Sequence, residues 1–412
     1  MHFDSPASRR FALIALAIAV AGLLAFGVAG VARGANVHFA DVRYFFVAGV
    51  LASTGVSPYD HAAFTAAAVQ WGLGPEIDLF AYPPHSLVLC VPLSWLPIET
   101  TRWAWTLVNL CILFGTAWAM ALRYEHRVGP RRDAKPSAAA LWIAAIVIGN
   151  PFAAHLIWTA QTGLMVLCCL LLAWHFERRQ RWLLAGVLMG LATFKPHLSL
   201  LVLAWFLMTG SWRVVAVAMA TVALLLLFAL VQLGPDVVQQ WLDASWAYDK
   251  QFVGSLSYNT NLKSLLLGLG LDLPRAFTAL MLAAALAGVA LLAMKHRSRP
   301  MAAHDVQAVL LATSLFWVQG RDYDIAALAP LVPMWFWHAR NDRWMRWFGL
   351  AALLLLCVPH RGLVQSGLPL LPYYRIVLLG AFWLWAVAAV APRIPHGEGA
   401  TRSPYKRNIV ER

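Results

Sequence analysis

Apolar runs long enough to cross a lipid bilayer recur along this chain, and short clusters of basic residues separate them. As a helix, the first run at residues 11–32 would extend about 33 Å, against a hydrocarbon core of ~30 Å. Hydrophobic residues make up 61% of the sequence and charged residues only 12%. This composition excludes a soluble enzyme, a disordered chain and a collagen-like fibre. It predicts an all-α polytopic membrane protein with one transmembrane domain over residues 1–412.

The net charge of +13 is best explained by membrane topology, because the basic residues lie between the apolar runs. Assigning the basic clusters and both termini to the cytoplasm places 22 of the 32 lysines and arginines inside. Cytoplasmic loops carry such an excess, so this pattern predicts the orientation. We therefore expect a multi-pass protein of the plasma (inner) membrane with two cytoplasmic termini and a basic cytoplasmic tail at 393–412. The first run is longer than the apolar part of a signal peptide, which favours a retained first span.

The hydropathy pattern predicts about twelve crossings, an even number as cytoplasmic termini require. Their expected bounds are 11–32, 101–122, 138–158, 162–177, 182–194, 198–210, 213–233, 275–295, 303–318, 322–338, 347–359 and 372–392. Two further apolar pieces, 83–97 and 259–271, are interpreted as re-entrant or interfacial segments.

Two large outer loops follow from this assignment, at 34–82 and 234–261. In the first, the apolar stretch 42–52 predicts an amphipathic helix along the membrane surface. A second helix is expected at 61–71, with Asp60 as its N-cap.

Ionisable groups at membrane depth are costly and indicate function. Asp41 follows the first span and precedes the expected surface helix, so its carboxylate can lie near the bilayer and still face water. That position suits a general base acting on a hydroxyl delivered from the lipid phase. An ordinary loop aspartate or a helix N-cap is the alternative.

Lys195 interrupts a long apolar stretch between Phe194 and Pro196, and His197 follows it. A lysine in this setting requires an anion, either a protein carboxylate or a phosphate. No carboxylate is close in sequence, which favours a phosphate. A lysine that extends to the interface is the alternative.

The stretch 319–324 separates two apolar runs on the same outer side and contains Arg321, a second candidate for binding a phosphate. Asp322 and Asp324 have the spacing that can hold a divalent cation against a pyrophosphate, although an internal salt bridge explains them as well. We expect no metal and no other cofactor, without excluding a divalent ion. His360 and Arg361, in another outer loop, are further phosphate candidates.

Polar groups also mark the helix breaks at 82–85, 150–151 and 161–163. From the residues alone, proline ends these spans and Asn150 or Gln161 satisfies freed backbone groups. No nucleotide-binding loop, zinc motif or nucleophile elbow is found in the sequence. A donor substrate is therefore expected to be lipid-borne or to enter from outside.

Taken in order, these motifs resemble the integral-membrane glycosyltransferases of the GT-C superfamily, and more narrowly glycosyltransferase family 87. That family includes polyprenol-phosphate-mannose-dependent mannosyltransferases. The resemblance covers residues 10–200 well and the remainder loosely. The family's usual Gly-Gln appears here as Ala160-Gln161. The matching residues are Asp41, Tyr44, Ala48, Gly55, Pro58-Tyr59-Asp60, Tyr82-Pro83-Pro84, Pro92, Leu96-Pro97, Asn150-Pro151, Gln161, Ala185-Gly186, Gly190-Leu191-Ala192 and Lys195-Pro196.

The resemblance implies a GT-C-like bundle and an inverting transferase. It would move a hexose, most simply mannose, from a polyprenyl-phosphate sugar to an envelope glycolipid or polysaccharide acceptor on the outer side. Asp41 would be the catalytic base. The implied donor-phosphate ligands are Lys195, Arg321, His197, His360 and Arg361. The implied sugar or acceptor contacts are Tyr44, Tyr59, Tyr82, His85 and Gln161.

Two other classes fit a polytopic chain with buried charges. A transporter or a flippase for lipid-linked sugars would be expected to show inverted repeats, and none is found in the sequence. A surface-polysaccharide ligase or polymerase would carry a larger outer loop late in the chain. No nucleic acid is expected as a partner.

Overall fold

The computed structural model describes residues 5–33, 41–73, 79–129, 135–251, 258–274, 276–340, 342–356 and 371–390. Within these ranges the protein is all-α and contains no β-strand, although an isolated antiparallel bridge joins Asn259 and Arg321. The α-helices are α1 Pro6–Gly22, α2 Ala29–Arg33, α3 Val42–Ser53, α4 His61–Gln70, α5 Leu87–Ser94, α6 Ile98–Val128, α7 Ala138–Gly149, α8 Pro151–Thr159, α9 Gly163–Arg178, α10 Trp182–Ala192, α11 Pro196–Met208, α12 Trp212–Leu233, α13 Val237–Gln251, α14 Leu262–Gly268, α15 Ala276–Ser298, α16 Ala303–Thr313, α17 Leu331–Ala339, α18 Arg343–Leu356 and α19 Tyr374–Val390.

Among the described residues, five helical segments are long and apolar enough to cross a membrane. They are Pro6–Ala32, Ile98–Val128, Trp212–Leu233, Ala276–Ser298 and Leu371–Val390. The pair α7 and α8 is bent by 43° and makes a sixth candidate if it forms one broken span. The predicted multi-pass membrane protein is thus confirmed, whereas the number of about twelve crossings stays a prediction.

Long spans bounded by polar residues were predicted to within a few residues. The crossing expected at 213–233 is α12, Trp212–Leu233, and the one expected at 275–295 is α15, Ala276–Ser298. The expected crossing at 138–158 contains a break instead. Pro151 cannot donate to the preceding turn, and the side chain of Asn150 accepts a hydrogen bond from the Phe152 N–H at 2.9 Å, which starts a new helix.

The segment expected to cross at 322–338 is not a single α-helix. A 3₁₀-helix at Asp322–Leu328 is followed by α17, which begins only at Leu331. The side chain of Asp324 accepts a hydrogen bond from the Arg321 N–H at 3.1 Å and shapes a tight first turn. Pro330 lacks an N–H, so an α-helical ladder cannot run through this junction. The polar start of this segment, at 321–324, therefore forms a tight turn and is not part of an α-helix.

The two helices predicted in the first outer loop are present. The carboxylate of Asp60 accepts from the Ala63 N–H at 3.1 Å and caps α4 as expected. Residues on both faces of α3 are buried, Phe45, Val47 and Ala48 among them. α3 therefore packs between other helices and does not rest on a membrane surface with one face in water. Parts of both predicted outer loops, and all of 393–412, lie outside the described residues.

Small residues allow some helices to approach closely. Gly186 and Gly190 lie one turn apart on α10, where a methyl group would collide with Val217 or Thr221 of α12. Closely packed helices in membranes commonly use small residues at this spacing. These two glycines of the family series thus have a packing role.

α6 joins two polar ends of the bundle. Near its start, Trp105 and Asn109 contact the loop that carries Gln161. Near its end, Arg127 forms a salt bridge with Asp305 of α16. Asn109 and Arg127 are about 27 Å apart along the helix axis, close to the thickness of the hydrocarbon core. Among the described residues, Arg123 and Arg178 lie near Arg127 at what is here called the basic end, and Gln161 and its partners lie at the other end.

Candidate functional site

Asp41 lies in the predicted first outer loop, at the start of α3, where this helix meets the end of α8. Its backbone N–H donates to the carbonyl oxygen of Thr159 at 2.7 Å, which ties the start of α3 to the end of α8. Its carboxylate accepts a hydrogen bond from Gln161 Nε2. The side chain keeps some accessible surface, yet surrounding protein atoms exclude much of the water. This burial raises the pKa of Asp41 to about 7, although Lys195 and Arg321 favour the charged form.

Gln161 follows a backbone reversal at the end of α8. Ala160 there adopts the left-handed conformation, with φ +52°, which glycine accepts with less strain. The carbonyl oxygen of Gln161 accepts from Asn109 Nδ2 at 3.1 Å and from Trp105 Nε1 at 3.4 Å. α6 therefore fixes the position from which the Gln161 side chain extends.

Lys195 is the N-cap residue of α11 and is almost fully buried. Its Nζ donates to Asp324 Oδ1 at 2.8 Å and to Gln161 Oε1 at 3.2 Å. It also lies 4.8 Å from the ring centroid of Tyr323. Of the two anions that the sequence left open for Lys195, the structure shows a protein carboxylate, and it comes from a segment 129 residues away in sequence.

Asp324 is the most heavily engaged carboxylate at this end. Besides Lys195, it contacts His197 Nε2 at 3.1 Å and the backbone N–H of Arg321 at 3.1 Å. Burial opposes its ionisation, but Lys195 and His197 more than offset this and hold the pKa of Asp324 well below its ordinary value. Asp324 is therefore charged at neutral pH and anchors the cations around it.

The two carboxylates of the Asp-x-Asp sequence have different partners. Asp322 Oδ2 accepts from the Arg375 guanidinium at 3.0 Å, whereas Asp324 faces Lys195. A divalent ion would need both to face one point. Among the described residues, no group of three histidine, cysteine, aspartate or glutamate side chains is arranged to hold a metal ion. The internal salt bridges explain this pair.

Arg321 connects the predicted second outer loop to the cluster, a name used here for Asp41, Gln161, Lys195 and Asp324. Its guanidinium donates to the Tyr248 hydroxyl of α13 at 3.2 Å, and its backbone pairs with Asn259. The N–H of Thr260 donates to the carbonyl of Gly320 at 2.9 Å. Arg321 also contributes to the field that favours ionised Asp41, so it belongs to the same charged neighbourhood.

Of the aromatic candidates, Tyr82 enters the cluster, where its hydroxyl donates to Gln161 Oε1 at 3.4 Å. Tyr59 is buried beside Phe80, and its hydroxyl donates to the Tyr82 carbonyl at 2.8 Å, which suits a supporting position. Tyr44 stacks on Phe64 with centroids 6.2 Å apart.

His85 lies 2.9 Å from the Thr193 hydroxyl, and burial lowers its pKa to about 4. Among the described residues, no contact between His85 and Asp41, Gln161 or Lys195 is observed, and the His85 ring lies 5.3 Å from the ring centroid of Phe194, the residue before Lys195. His360 and Arg361 lie outside the described residues.

Sequence analysis missed the support from α6. Trp105 and Asn109 were not selected, although Asn109 is a polar residue in an otherwise apolar part of a span, a signal that was available. From the sequence, Asp324 was a candidate metal ligand or a member of an internal salt bridge within its own loop. Its role as partner of Lys195 has no local sequence signal, because the two residues meet only through the fold.

A comparison with known protein families shows the family to which this chain belongs. The profile of glycosyltransferase family 87 matches residues 80–318, more than half of the sequence. The chain belongs to glycosyltransferase family 87. Gln161 and Lys195 lie inside the matched range, and Asp41 and Asp324, which contact them, lie outside it.

One relative of known name is a polyprenol-phosphate-mannose-dependent α-(1-2)-phosphatidylinositol pentamannoside mannosyltransferase from Mycobacterium tuberculosis. It is 28% identical over 193 residues, which cover 46% of this chain and 40% of the relative. The matched part thus spans less than half the length of that relative. The similarity agrees with the family assignment and concerns part of each protein.

Proposed function

We propose that this family 87 protein is an inverting glycosyltransferase. It transfers a hexose, with mannose first among the candidates, from a polyprenyl-phosphate sugar to a glycolipid or polysaccharide acceptor of the cell envelope. The reaction takes place at the end of the bundle that carries Asp41, on the outer side of the plasma membrane.

One observation carries this proposal: a carboxylate and a buried cation meet in one hydrogen-bonded chain, although they come from separate parts of the sequence. Asp41 contacts Gln161, and Gln161 contacts Lys195. Transfer from a sugar phosphate needs a base at the attacking oxygen and positive charge at the leaving phosphate. The cluster supplies both within the reach of one glutamine side chain.

In the proposed reaction, Asp41 accepts the proton of the acceptor hydroxyl. The freed oxygen lone pair attacks the anomeric carbon on the face opposite the phosphate, so the configuration inverts. The bond between the anomeric carbon and the phosphate oxygen breaks, and the polyprenyl phosphate leaves with that electron pair. A pKa of about 7 suits Asp41 for this step, because it is partly ionised at neutral pH and still basic enough to take a proton.

The leaving phosphate gains negative charge as the bond breaks, and Lys195 and Arg321 are proposed to stabilise it. Lys195 already contacts Asp324 and Gln161, so phosphate binding would add to or replace one of these bonds. His197, on the other side of Asp324, is a third candidate. A phosphodiester donor carries one charge, and no metal ion is required by this scheme.

An apolar cavity of about 270 Å³ is lined mainly by α7 and α17 and reaches the segment that follows Asp324. Its lining includes Ile325, the residue after Asp324, together with Trp142 and Phe382. Such a lining suits hydrocarbon rather than sugar, which supports a lipid-borne substrate. The donor named for the mycobacterial relative, polyprenol-phosphate-mannose, is the first one to test.

The test uses purified full-length protein in lipid nanodiscs, with radiolabelled polyprenyl-phosphate mannose or glucose and an envelope lipid extract as acceptor. We expect transfer from one of the two donors. Asp41→Asn should reduce turnover by about 10²- to 10⁴-fold, because the amide cannot take the proton.

Asp60→Asn is the matched control. Asp60 lies in the same outer loop and caps α4, a role that asparagine fills equally well, so wild-type turnover is expected. Near-normal transfer by folded Asp41→Asn would remove the base assignment. Movement of the intact lipid-linked sugar across the bilayer without transfer would favour a flippase.

A further inference from the structure

Gln161 holds the centre of the cluster and has three side-chain partners. Its Nε2 donates to the Asp41 carboxylate, and its Oε1 accepts from Lys195 at 3.2 Å and from Tyr82 at 3.4 Å. The opposite amide orientation would place an oxygen against a carboxylate and an NH₂ group against an ammonium. The charges therefore dictate the orientation of this amide.

The backbone of Gln161 is as firmly held as its side chain. Trp105 and Asn109 of α6 both donate to its carbonyl oxygen, and its own N–H donates to the Leu156 carbonyl at 3.1 Å. The residue is 1% exposed, so water does not compete for these bonds. Such support is what a side chain needs in order to fix the geometry of its neighbours.

We infer that Gln161 is a positioning residue that joins Asp41 to Lys195 and that keeps Asp41 ionised and oriented toward the acceptor. This role rests on the proposed function and differs from the sugar or acceptor contact that the family resemblance implied. One Asp41 oxygen is engaged by the amide. Among the described residues, no hydrogen bond to the other oxygen is observed, which leaves it to receive a proton.

Other ionisable groups also surround Asp41, and they must be separated from the effect of Gln161. They come from the loops beside α5 and α11, from α13 and from the segment before α17: Tyr82, Lys195, Tyr248, Arg321, Tyr323 and Asp324. Lys195 and Arg321 favour the charged carboxylate, and Asp324 opposes it. Only Gln161 donates a hydrogen bond to it among the described residues.

The test measures the titration of Asp41 directly, by infrared difference spectroscopy on the full-length protein in nanodiscs. The carboxyl band is assigned as the signal that Asp41→Asn removes. Gln161→Met removes the hydrogen-bond donor to the Asp41 carboxylate. The pH at which half of Asp41 is protonated, called the Asp41 midpoint, should therefore rise by about 1–2 pH units. Gln161→Glu places a second carboxylate against Asp41, so its midpoint should rise further still.

Gln232→Met is the matched control. The side-chain amide of Gln232 also donates a hydrogen bond, to the Ala52 carbonyl at 3.0 Å, and among the described residues no contact between Gln232 and the cluster is observed. Its Asp41 midpoint should equal that of the wild type. The pH at which the transfer rate falls on the acid side should rise together with the Asp41 midpoint. Both should be higher in Gln161→Glu than in Gln161→Met.

An unchanged Asp41 midpoint in folded Gln161→Met would overturn the inference, whatever the transfer rate. Equal midpoints in the Met and Glu variants would do so as well. If the midpoints shift as expected but the wild type transfers no sugar, the link between Gln161 and Asp41 stands and the proposed function fails. The spectroscopic readout thus separates the two claims.

Discussion

The two ends of the bundle each bury an aspartate, but they surround it differently. At the basic end, Asp305 receives a fork of two hydrogen bonds from Arg127, at 2.8 and 3.1 Å, and Arg127 also lies over the Trp337 ring at 4.4 Å. At the other end, Asp324 shares its two oxygens among Lys195, His197 and a backbone N–H.

The backbone around the two sites also differs. Arg127 lies in the last turn of α6 and Asp305 in the first turn of α16, so this ion pair joins the ends of two helices. Asp41 and Lys195 precede the starts of α3 and α11, and Gln161 lies between α8 and α9. Non-helical backbone at membrane depth is tolerated only where it is buried in protein or lines a cavity. Three such non-helical positions meet at Gln161, whereas the Arg127–Asp305 pair joins two helices directly.

The largest expected effect on stability is at the basic end. Asp305→Ala leaves the Arg127 guanidinium without its carboxylate in a largely buried position, which should cost roughly 3–5 kcal/mol of unfolding free energy. Turnover per folded molecule should stay close to that of the wild type. Thermal unfolding in nanodiscs, followed by the transfer assay on the folded fraction, measures both. A large loss of turnover with unchanged stability would erase the distinction between the two ends.

Lys195→Met tests the opposite end. Loss of a charge-assisted contact to the donor phosphate should reduce donor affinity or rate by about 10- to 150-fold. Lys295→Met, a lysine at the basic end of α15, is the control and should transfer at the wild-type rate. Intact donor binding and turnover in folded Lys195→Met would limit Lys195 to a structural partner of Asp324.

The smallest expected effect is at Ala160. Glycine adopts its left-handed backbone conformation with less strain but also loses more entropy on folding. Ala160→Gly, the usual family residue, should change the unfolding free energy by no more than about 1 kcal/mol and leave transfer unchanged. Thermal unfolding and the transfer assay on one preparation check this. A clear loss of stability would show that the methyl group is needed for packing.

Sequence patterns predicted the fold where hydropathy and charge change sharply. α12 and α15 were found within a few residues because polar or basic groups bound each apolar run. The break within 322–338 was missed because the overall hydropathy of the segment conceals the turn that Asp324 makes with the Arg321 backbone. Hydropathy reports burial and does not report how local hydrogen bonds divide a helix.

Parts of the site were predictable for a different reason. Asp41 and Lys195 stand out as charges beside apolar runs, and the topology assigned both to one side. Their connection through Gln161, and the pairing of Lys195 with Asp324, depend on contacts between residues 34 to 129 positions apart. A single sequence holds no local trace of such pairs, so only the folded arrangement could reveal them.

The most direct test of the central claim, that Asp41 takes the proton from the acceptor, is the pH dependence of transfer at saturating donor. Because the pKa of Asp41 is raised to about 7, the base is lost as the pH falls through that value. Wild-type kcat should decline about tenfold per unit below pH 7, and Asp41→Asn should be slow and without this decline. A wild-type rate that stays constant from about pH 5.5 to 8, or the same decline in Asp41→Asn, would contradict the assignment.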